Sequence, residues 1–497
     1  MTTWSNLGAA LRAGAPDRLA LVDLGGEFPP RRFTFAEIDR QSGAVAHALL
    51  QFGLQPGERV AILSANRAEF LFAFLGTMRA GLVSVPVNTK LPAATVRLVL
   101  DDCDARLVFT DAAHRALVSS DLPFVAMEAW DGFIALGLAA PFQTILPQPT
   151  DPAMFLYTSG STGQPKGVVL SHRSHLWVLE IRTSRPDLEQ ERVQVAAPLY
   201  HMNGLAMAQL TFASGGLLVL LPGFTAQSYI EAAAEWGVTA LTSVPPMVAM
   251  MLQESDLLST KDLSSVCSIR MGSAPITQTL MDRVRRLFPR AAISNGYGTT
   301  EAGPVVFAPH PDGRPTPDTS LGVGHPAVDL RLMRDGEAVT NEGVLEMRCP
   351  ALMNAYHKLP EATAKAMTPD GFYITGDVFN CDENGFFSFV GRADDMFVSG
   401  GENIYPGEVE TILEAHPAIA QASVIALPDE IKGTKPAAFV VLRSGAVATE
   451  DDLRQYVLAR APAYAHPRRV WFVPSLPLAG TNKVDRKALL QWAFDQT

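Results

Sequence analysis

The sequence predicts an α/β protein with a large amino-terminal domain built on parallel sheets, a small β-barrel-like subdomain, and a smaller α+β carboxyl-terminal domain. Three observations carry this. Strand-like and helix-like apolar patterns alternate up to residue 294, the texture turns to short strands with Gly, Asp and Asn turns from Leu321, and a helix–strand–strand–helix pattern stands apart beyond Asp395. The last unit, about a hundred residues, has the size of an ordinary small domain. The division expected is 1–393 and 394–497.

The elements follow in order. Thr34 and Glu37 form a capping-box pair ahead of apolar residues at helical spacing, and Gly53 stops that helix. The run "RVAIL" (59–63) reads as a strand, a second helical stretch ends near Gly81, and "LVSVPV" (82–87) is the next strand. The longest apolar tract, 204–221, is broken by Gln209, Thr211, Ser214 and the Gly215–Gly216 pair, which predicts a buried helix and then a strand, not a membrane span. The rhythm returns at "GVTAL" (237–241), "VCSIRM" (266–271) and "AAIS" (291–294), so more than one largely parallel sheet is expected. "MRDGEAV" and "CDENGFFSFVG" are hairpin patterns. The final unit reads helix 406–414, strand 419–427, strand 436–442, helix 451–459, and the chain has no internal repeat.

A chain of 497 residues, 47% hydrophobic and 18% charged, folds into more than one domain, and its net charge of −11 disfavours nucleic acid or an anionic membrane as partner. The amino terminus lacks a basic segment followed by an apolar run, so a cytoplasmic location is expected. Cys103, Cys267, Cys349 and Cys381 are widely spaced, without metal-ligand spacing, as in a reducing compartment. Nothing in the pattern speaks to oligomeric state.

The stretch "TSGSTGQPKG" (158–167) lies between the apolar "AMFLY" and "GVVLSH", a strand–loop–strand arrangement without the Walker spacing. Backbone N–H groups in such a turn, with Ser and Thr hydroxyls and Lys166, make a cradle for polyphosphate; the competing reading is a solvated Gly/Ser linker. Around this loop "YTSGSTGQPKGV" resembles the signature of the adenylate-forming superfamily of acyl-CoA synthetases, nonribosomal adenylation domains and luciferases. "NGYGTTEAG" (295–303), "YITGD" (373–377), "GRADDMFVSGGENIYPGEVE" (391–410) and "LPLAGTNKVDRKAL" (476–489) resemble further motifs of that superfamily, in its order. Within it the motifs are most similar to 4-coumarate, feruloyl- and chlorobenzoate-type CoA ligases.

The resemblance implies a two-step ligase: a small carboxylic acid and ATP give acyl-adenylate and diphosphate, and coenzyme A then displaces AMP. It implies that Thr158, Ser159, Gly160, Ser161, Thr162, Gly163 and Lys166 hold the β- and γ-phosphates, and that Glu301, with Thr162 near, binds Mg²⁺. Thr300 belongs at the α-phosphate and Thr299 among the cofactor-binding residues, with Thr300 and Glu301 counted among the catalytic residues. Tyr297 would stack on adenine beside Gly272, Ser273, Ala274 and Asn295, and Asp377 and Arg392 would hold the ribose. Taken alone, Tyr297 is a turn aromatic and Asp377 a turn carboxylate. Lys483 matches the superfamily lysine that bridges the acid and the α-phosphate, although Asn482 stands where many relatives have Gly. Asp394 matches a hinge, beyond which Gly400 and Gly401 would let pantetheine pass. Lys90 and Lys432 are candidates for the CoA phosphates, or ordinary surface lysines.

For the acid, the resemblance places His201, Met202, Asn203, Ser273, Gly296, Gly298, Gly303 and Pro304 at the pocket, with His201 also catalytic. Three glycines would leave room for an acid longer than benzoate, such as a hydroxycinnamate, with a medium-chain fatty acid as the alternative. "PLYHMNGLA" has no Asp for an amino-acid ammonium, and neither "NGYGTTEAGPV" nor "PLYHMNG" supplies the arginine a dicarboxylate would want, so both substrate classes are disfavoured. Two other readings stay open: a carrier-protein loader, since carrier and CoA present the same thiol, and a catalytically dead binding module, which the intact Lys166, Glu301, Asp377, Arg392 and Lys483 argue against.

Overall fold

The Thr34–Glu37 capping box forms as read: Oγ1 of Thr34 accepts from the Glu37 amide, the Glu37 carboxylate accepts from the Thr34 amide, and a helix runs Phe35–Gln51 to Gly53 at φ +86°. This computed structural model describes the chain apart from residues 1–3, 13–14, 26–28, 138–140, 160–164, 186, 273–275, 400–401, 481–482 and 497. Against the helix Phe35–Gln51 packs the helix Ala68–Arg79, all of whose residues are buried, which is why "AEFLFAFLGTMR" is apolar except at Glu69, Thr77 and Arg79, the two charged ones paired at its ends. A Cβ on Gly76 would stand 2.6 Å from the Ser42 carbonyl oxygen, so only glycine permits that approach.

Two seven-stranded sheets flank this core. In one the order is Ala355–Tyr356, Pro165–Ser171, Pro152–Ser159, Val83–Pro86, Arg59–Leu63, Ala105–Thr110, Phe124–Ala126. It is parallel except at Pro165–Ser171, which pairs antiparallel with both neighbours. In the other the order is Ala292–Gly296, Ser268–Gly272, Ala240–Ser243, Arg192–Val195, Leu217–Leu220, Leu19–Asp23, Arg31–Thr34, antiparallel only at the last pair. One apolar cluster joins residues of both sheets, among them Val60, Phe109, Leu156, Leu21 and Leu218. The apolar tract 204–221 resolves into the buried helix Met202–Ser214, ended by Gly215 at φ +84°, and the strand Leu217–Leu220. No helix among the described residues is long and apolar enough to cross a membrane.

From Asp329 the chain builds a five-stranded antiparallel sheet in the order Glu337–Val339, Asp329–Arg334, Glu342–Arg348, Tyr373–Cys381, Phe387–Arg392. Its first hairpin turns on Asp335 and Gly336, both at positive φ, as a two-residue turn requires. A turn at 393–395 leads to Phe397–Ser399, the first strand of a last sheet with Glu402–Ile404, Ile419–Asp429, Gly433–Leu442 and Arg469–Phe472. Helices Pro406–Glu414, Glu450–Leu458 and Arg486–Asp495 belong to the same unit, which has its own apolar clusters. All four cysteines are free, and burial pushes the Cys103 thiol up to about 12 and that of Cys349 to about 11, so both stay protonated.

Candidate active site

The strands Pro152–Ser159 and Pro165–Ser171 close an antiparallel hairpin with Thr158 opposite Lys166. Gly160, Ser161, Thr162 and Gly163 at its tip lie outside the described residues. At its root the Lys166 ammonium sits 5.1 Å from the centre of the Tyr356 ring, and the Tyr356 hydroxyl donates to Oε1 of Glu301 at 2.9 Å. Tyr356 arrives there because the two-residue strand Ala355–Tyr356 pairs with Pro165–Ser171. Glu301 is only 9% exposed, and burial beside it raises the pKa of Tyr356, which remains a hydrogen-bond donor.

Asp377 and Arg392 are register partners on Tyr373–Cys381 and Phe387–Arg392, so residues far apart in sequence meet across one ladder. Nη1 of Arg392 donates to Oδ1 of Asp377 at 3.1 Å, and the Tyr297 hydroxyl donates to Oδ2 at 2.5 Å. Burial of Asp377, 5% exposed, pushes its carboxyl up, and Tyr297, Arg392 and Lys483 oppose that shift. The Tyr297 ring packs edge-on against Phe379 at 5.0 Å. Gly272 pairs with Gly296 in adjacent strands, where a Cβ on Gly272 would come within 2.8 Å of the Gly296 carbonyl oxygen. Ser273 and Ala274 lie outside the described residues, and Asn295 donates to the Thr319 carbonyl at 3.4 Å. Thr299 caps the turn that holds Thr300 and Glu301: its Oγ1 accepts from the Ala302 amide and its carbonyl from the Gly303 amide.

The carboxyl-terminal unit reaches this place at residues 478–480 and 483–484. Leu478 bridges Val484, the Tyr200 hydroxyl donates to the Gly480 carbonyl at 3.2 Å, and Gly480 lies against Asn88 and Lys90. Lys483 is thereby brought within electrostatic reach of Asp377 and Arg392. Its side chain stays open to solvent, yet the surrounding protein pulls its pKa down, while Asp377 acts in the opposite sense. Burial, with Lys483 next, brings His201 down to about 4, so its ring is neutral near pH 7. Its Nε2 is buried without a hydrogen-bond partner among the described residues. Asp394, in the turn between the last two sheets, accepts from Nε of Arg392 at 2.8 Å. Gly400 and Gly401 lie outside the described residues; Lys432 sits on the exposed turn between Ile419–Asp429 and Gly433–Leu442.

On the acyl side, His201 precedes the helix Met202–Ser214, whose first turn carries Met202 and Asn203, and Nε2 of His175 approaches the Met202 sulfur at 3.4 Å. Two expectations are corrected here. A Cβ on Gly298 would meet the Gly303 carbonyl and Pro304 Cα at 2.7 Å, and one on Gly303, at φ +73°, would meet Ala351 and Val178 at 3.1 and 3.4 Å. These glycines serve a tight turn beside Glu301; their missing side chains face protein, not room for a long acid. Gly296 instead makes room for Arg270, whose Nε and Nη2 would lie 2.8 and 3.0 Å from its Cβ. An arginine therefore does reach this side of the site, from a strand outside the two motifs searched for one.

Residues 9–357 match the family model described as AMP-binding enzyme, and residues 408–483 match the AMP-binding enzyme C-terminal domain. This chain belongs to the AMP-binding enzymes. It is 34% identical over 466 residues to a feruloyl-CoA synthase of Amycolatopsis sp, covering 91% of this chain and 92% of that protein. It is 32% identical over 481 residues to the fatty acid–[acyl-carrier-protein] ligase ScoC of Streptomyces coeruleorubidus, covering 92% and 91%. Among solved structures, the anthranilate CoA ligase AuaEII in complex with anthranoyl-AMP superposes with a TM-score of 0.90 at 25% identity, over 99% of this chain and 98% of that one. This AMP-binding enzyme is thus an ATP-dependent, adenylate-forming ligase of the acyl-CoA synthetase class, with a large amino-terminal and a smaller carboxyl-terminal domain.

Sequence reasoning missed Tyr356 and Arg270 in this AMP-binding enzyme. An aromatic in a two-residue strand carries no local signal. Arg270 did carry one: Ile269 and Met271 beside it are buried on one face, which turns a lone arginine to the other.

Proposed function

We propose that this protein activates a small organic acid with ATP and passes the acyl group to coenzyme A, in the cytoplasm. One observation supports it above the rest: the segment 478–480 of the carboxyl-terminal unit meets Tyr200, Asn88 and Lys90, and Lys483 just after it comes within electrostatic reach of Asp377, Arg392 and a neutral His201.

The acid and the triphosphate are both anionic, so the site must offset charge where it accumulates. In this reading Asp377 accepts the ribose hydroxyls, fixed by Tyr297 and Arg392, and Tyr297 presents its ring face to adenine. Thr158 to Lys166 hold the β- and γ-phosphates and Thr300 the α-phosphate. The Lys483 ammonium, partly stripped of bulk water, lies between the attacking carboxylate and the α-phosphate. His201, neutral and with Nε2 unpartnered, offers one N–H to the acid and no charge. Glu301 is a buried carboxylate oriented by Tyr356, and no group of three or more His, Cys, Asp or Glu that could hold a metal occurs among the described residues. Glu301, with Thr162, would hold Mg²⁺ there, a carboxylate and a hydroxyl oxygen being the hard donors that this ion takes. Bound there, Mg²⁺ would neutralise developing phosphate charge. In the second step residues from 394 onward turn about Asp394, Lys483 leaves, and the segment with Gly400 and Gly401 admits pantetheine, with Lys90 and Lys432 toward the CoA phosphates.

Similarity to feruloyl-CoA synthase supports an arylpropenoic acid, and similarity to ScoC a fatty acid and a carrier acceptor. Thioester yield with free CoA against a carrier protein separates the acceptors. The whole reading is tested by diphosphate release and acyl-CoA formation over a panel of acids. Lys483→Ala should lower adenylation by about 10²–10³-fold while sparing thioester formation from a supplied acyl-adenylate. Equal loss in both steps would refute the role of Lys483.

A further inference from the structure

Arg270 lies on the strand Ser268–Gly272, on the face opposite the buried Ile269 and Met271, with its guanidinium against Gly296. Gly296 leads directly into Tyr297 and the Glu301 turn, so this arginine stands next to the residues assigned to the nucleotide. A second arginine, Arg182, enters from the end of the helix His172–Thr183 and donates from Nη2 to the sulfur of Met207 at 3.2 Å. Met207 is on the helix that begins after His201, one turn beyond Asn203. Arg182 and Arg270 are close enough to repel each other, and Arg185 on the exposed turn after the helix adds to the repulsion.

No carboxylate among the described residues balances this charge. Neither Arg182 nor Arg270 forms an ion pair with a carboxylate among the described residues, and the acid nearest Arg182, Glu191, remains outside ion-pair distance with its own carboxyl pushed up by burial. Both guanidiniums are surrounded by enough protein to lower their pKa, yet both side chains keep accessible surface. Desolvated like charges destabilise a fold unless an anion is brought to them. An arginine fork is also the donor geometry that matches a carboxylate.

We propose that the acid activated here carries a second carboxylate at the end remote from the one adenylated, received by Arg270 with Arg182 behind it. The substrate class is then a dicarboxylic or carboxy-aryl acid, contrary to what the two motifs searched for an arginine suggested. This rests on the ligase reading above and adds Arg270 as its specificity-determining residue. A site with unpaired buried donors rejects an analogue lacking the bonding group far more strongly than an apolar pocket rejects a missing methylene.

The test uses matched pairs, glutarate with pentanoate and 4-carboxycinnamate with cinnamate, titrated calorimetrically into the full chain loaded with a non-hydrolysable ATP analogue. The diacid of at least one pair should bind at least about ten-fold more tightly than its partner, the difference that separates a placed ion pair from none. Arg270→Met should remove that preference, and Arg182→Leu should reduce it. Preference for the monoacid in both pairs, or a diacid preference unchanged in Arg270→Met, overturns the proposal; if that variant fails to fold, the wild-type pairs and Arg182→Leu decide. Diphosphate release with the same acids separates the two readings. Turnover of monoacids without a diacid preference keeps the ligase and sinks the second carboxylate. Diacid binding without diphosphate from any acid does the reverse.

Discussion

Gly303 shows how a single residue's role depends on where its missing side chain would point. At φ +73°, with Ala351 and Val178 against the Cβ position, Gly303→Leu adds left-handed strain of about 1–2 kcal/mol and overpacking of about 1–3 kcal/mol. The expected outcome is a lower denaturation midpoint and a loss of adenylation by the same factor for short and long acids. A selective loss of long acids would return Gly303 to the pocket wall. Tyr356 acts through Glu301. In Tyr356→Phe the buried carboxylate loses a hydrogen bond at a cost of about 1–3 kcal/mol. Titration of Mg²⁺ against diphosphate release should show a higher requirement, and Tyr356→Phe should keep the wild-type preference among acids. Lys166, Glu301 and Lys483 were legible because charged residues stood in recognisable motifs. Tyr356 was not, because it takes its role from a neighbour distant in sequence; for Arg270 the strand alternation gave the face but not what it meets there.

At the scale of elements, the connections matter most. The hairpin of Pro152–Ser159 and Pro165–Ser171, the turn at Thr299–Gly303 and the ladder of Tyr373–Cys381 with Phe387–Arg392 deliver Lys166, Glu301 and Asp377 to one place. The turn at Asp394 joins two sheets and is held by Arg392. Proline there fixes φ near −65° and removes an N–H, whereas alanine removes only the carboxylate. Asp394→Pro should release diphosphate in a single turnover at near the Asp394→Ala rate yet form far less thioester than Asp394→Ala. Equal thioester yield in both variants would mean that the chain does not turn at this point. Helix and strand periodicity foretold most of these elements. The strand read at 237–241 forms at Ala240–Ser243 instead, because its register is set by pairing with Arg192–Val195 and Ser268–Gly272.

For the whole molecule, burial of histidine couples stability to pH. His172, His175 and His201 are each brought down by burial to about 4 from an ordinary 6.5. Nδ1 of His172 accepts from the Leu7 amide at 3.0 Å, a bond that only the unprotonated nitrogen makes. The folded protein thus binds fewer protons than the unfolded chain between about pH 4 and 6.5. Stability is fully present above pH 6.5 and is lost as pH falls through that window. Denaturant midpoints should decline from pH 7 to pH 4.5, and less steeply in His175→Gln; identical slopes would show that His175 does not titrate there.

The sequence by itself determined the α/β class, the order of helices and strands and the residue types of the nucleotide site, since periodicity, caps, turns and motifs are local properties. Only the tertiary structure decided which side chains share a space. It turned Gly303 toward the core, set Tyr356 on Glu301, and brought Arg270 and Arg182 within electrostatic reach of each other from separate elements. Burial, charge repulsion and close approach arise between segments, and a pattern read along the chain does not contain them.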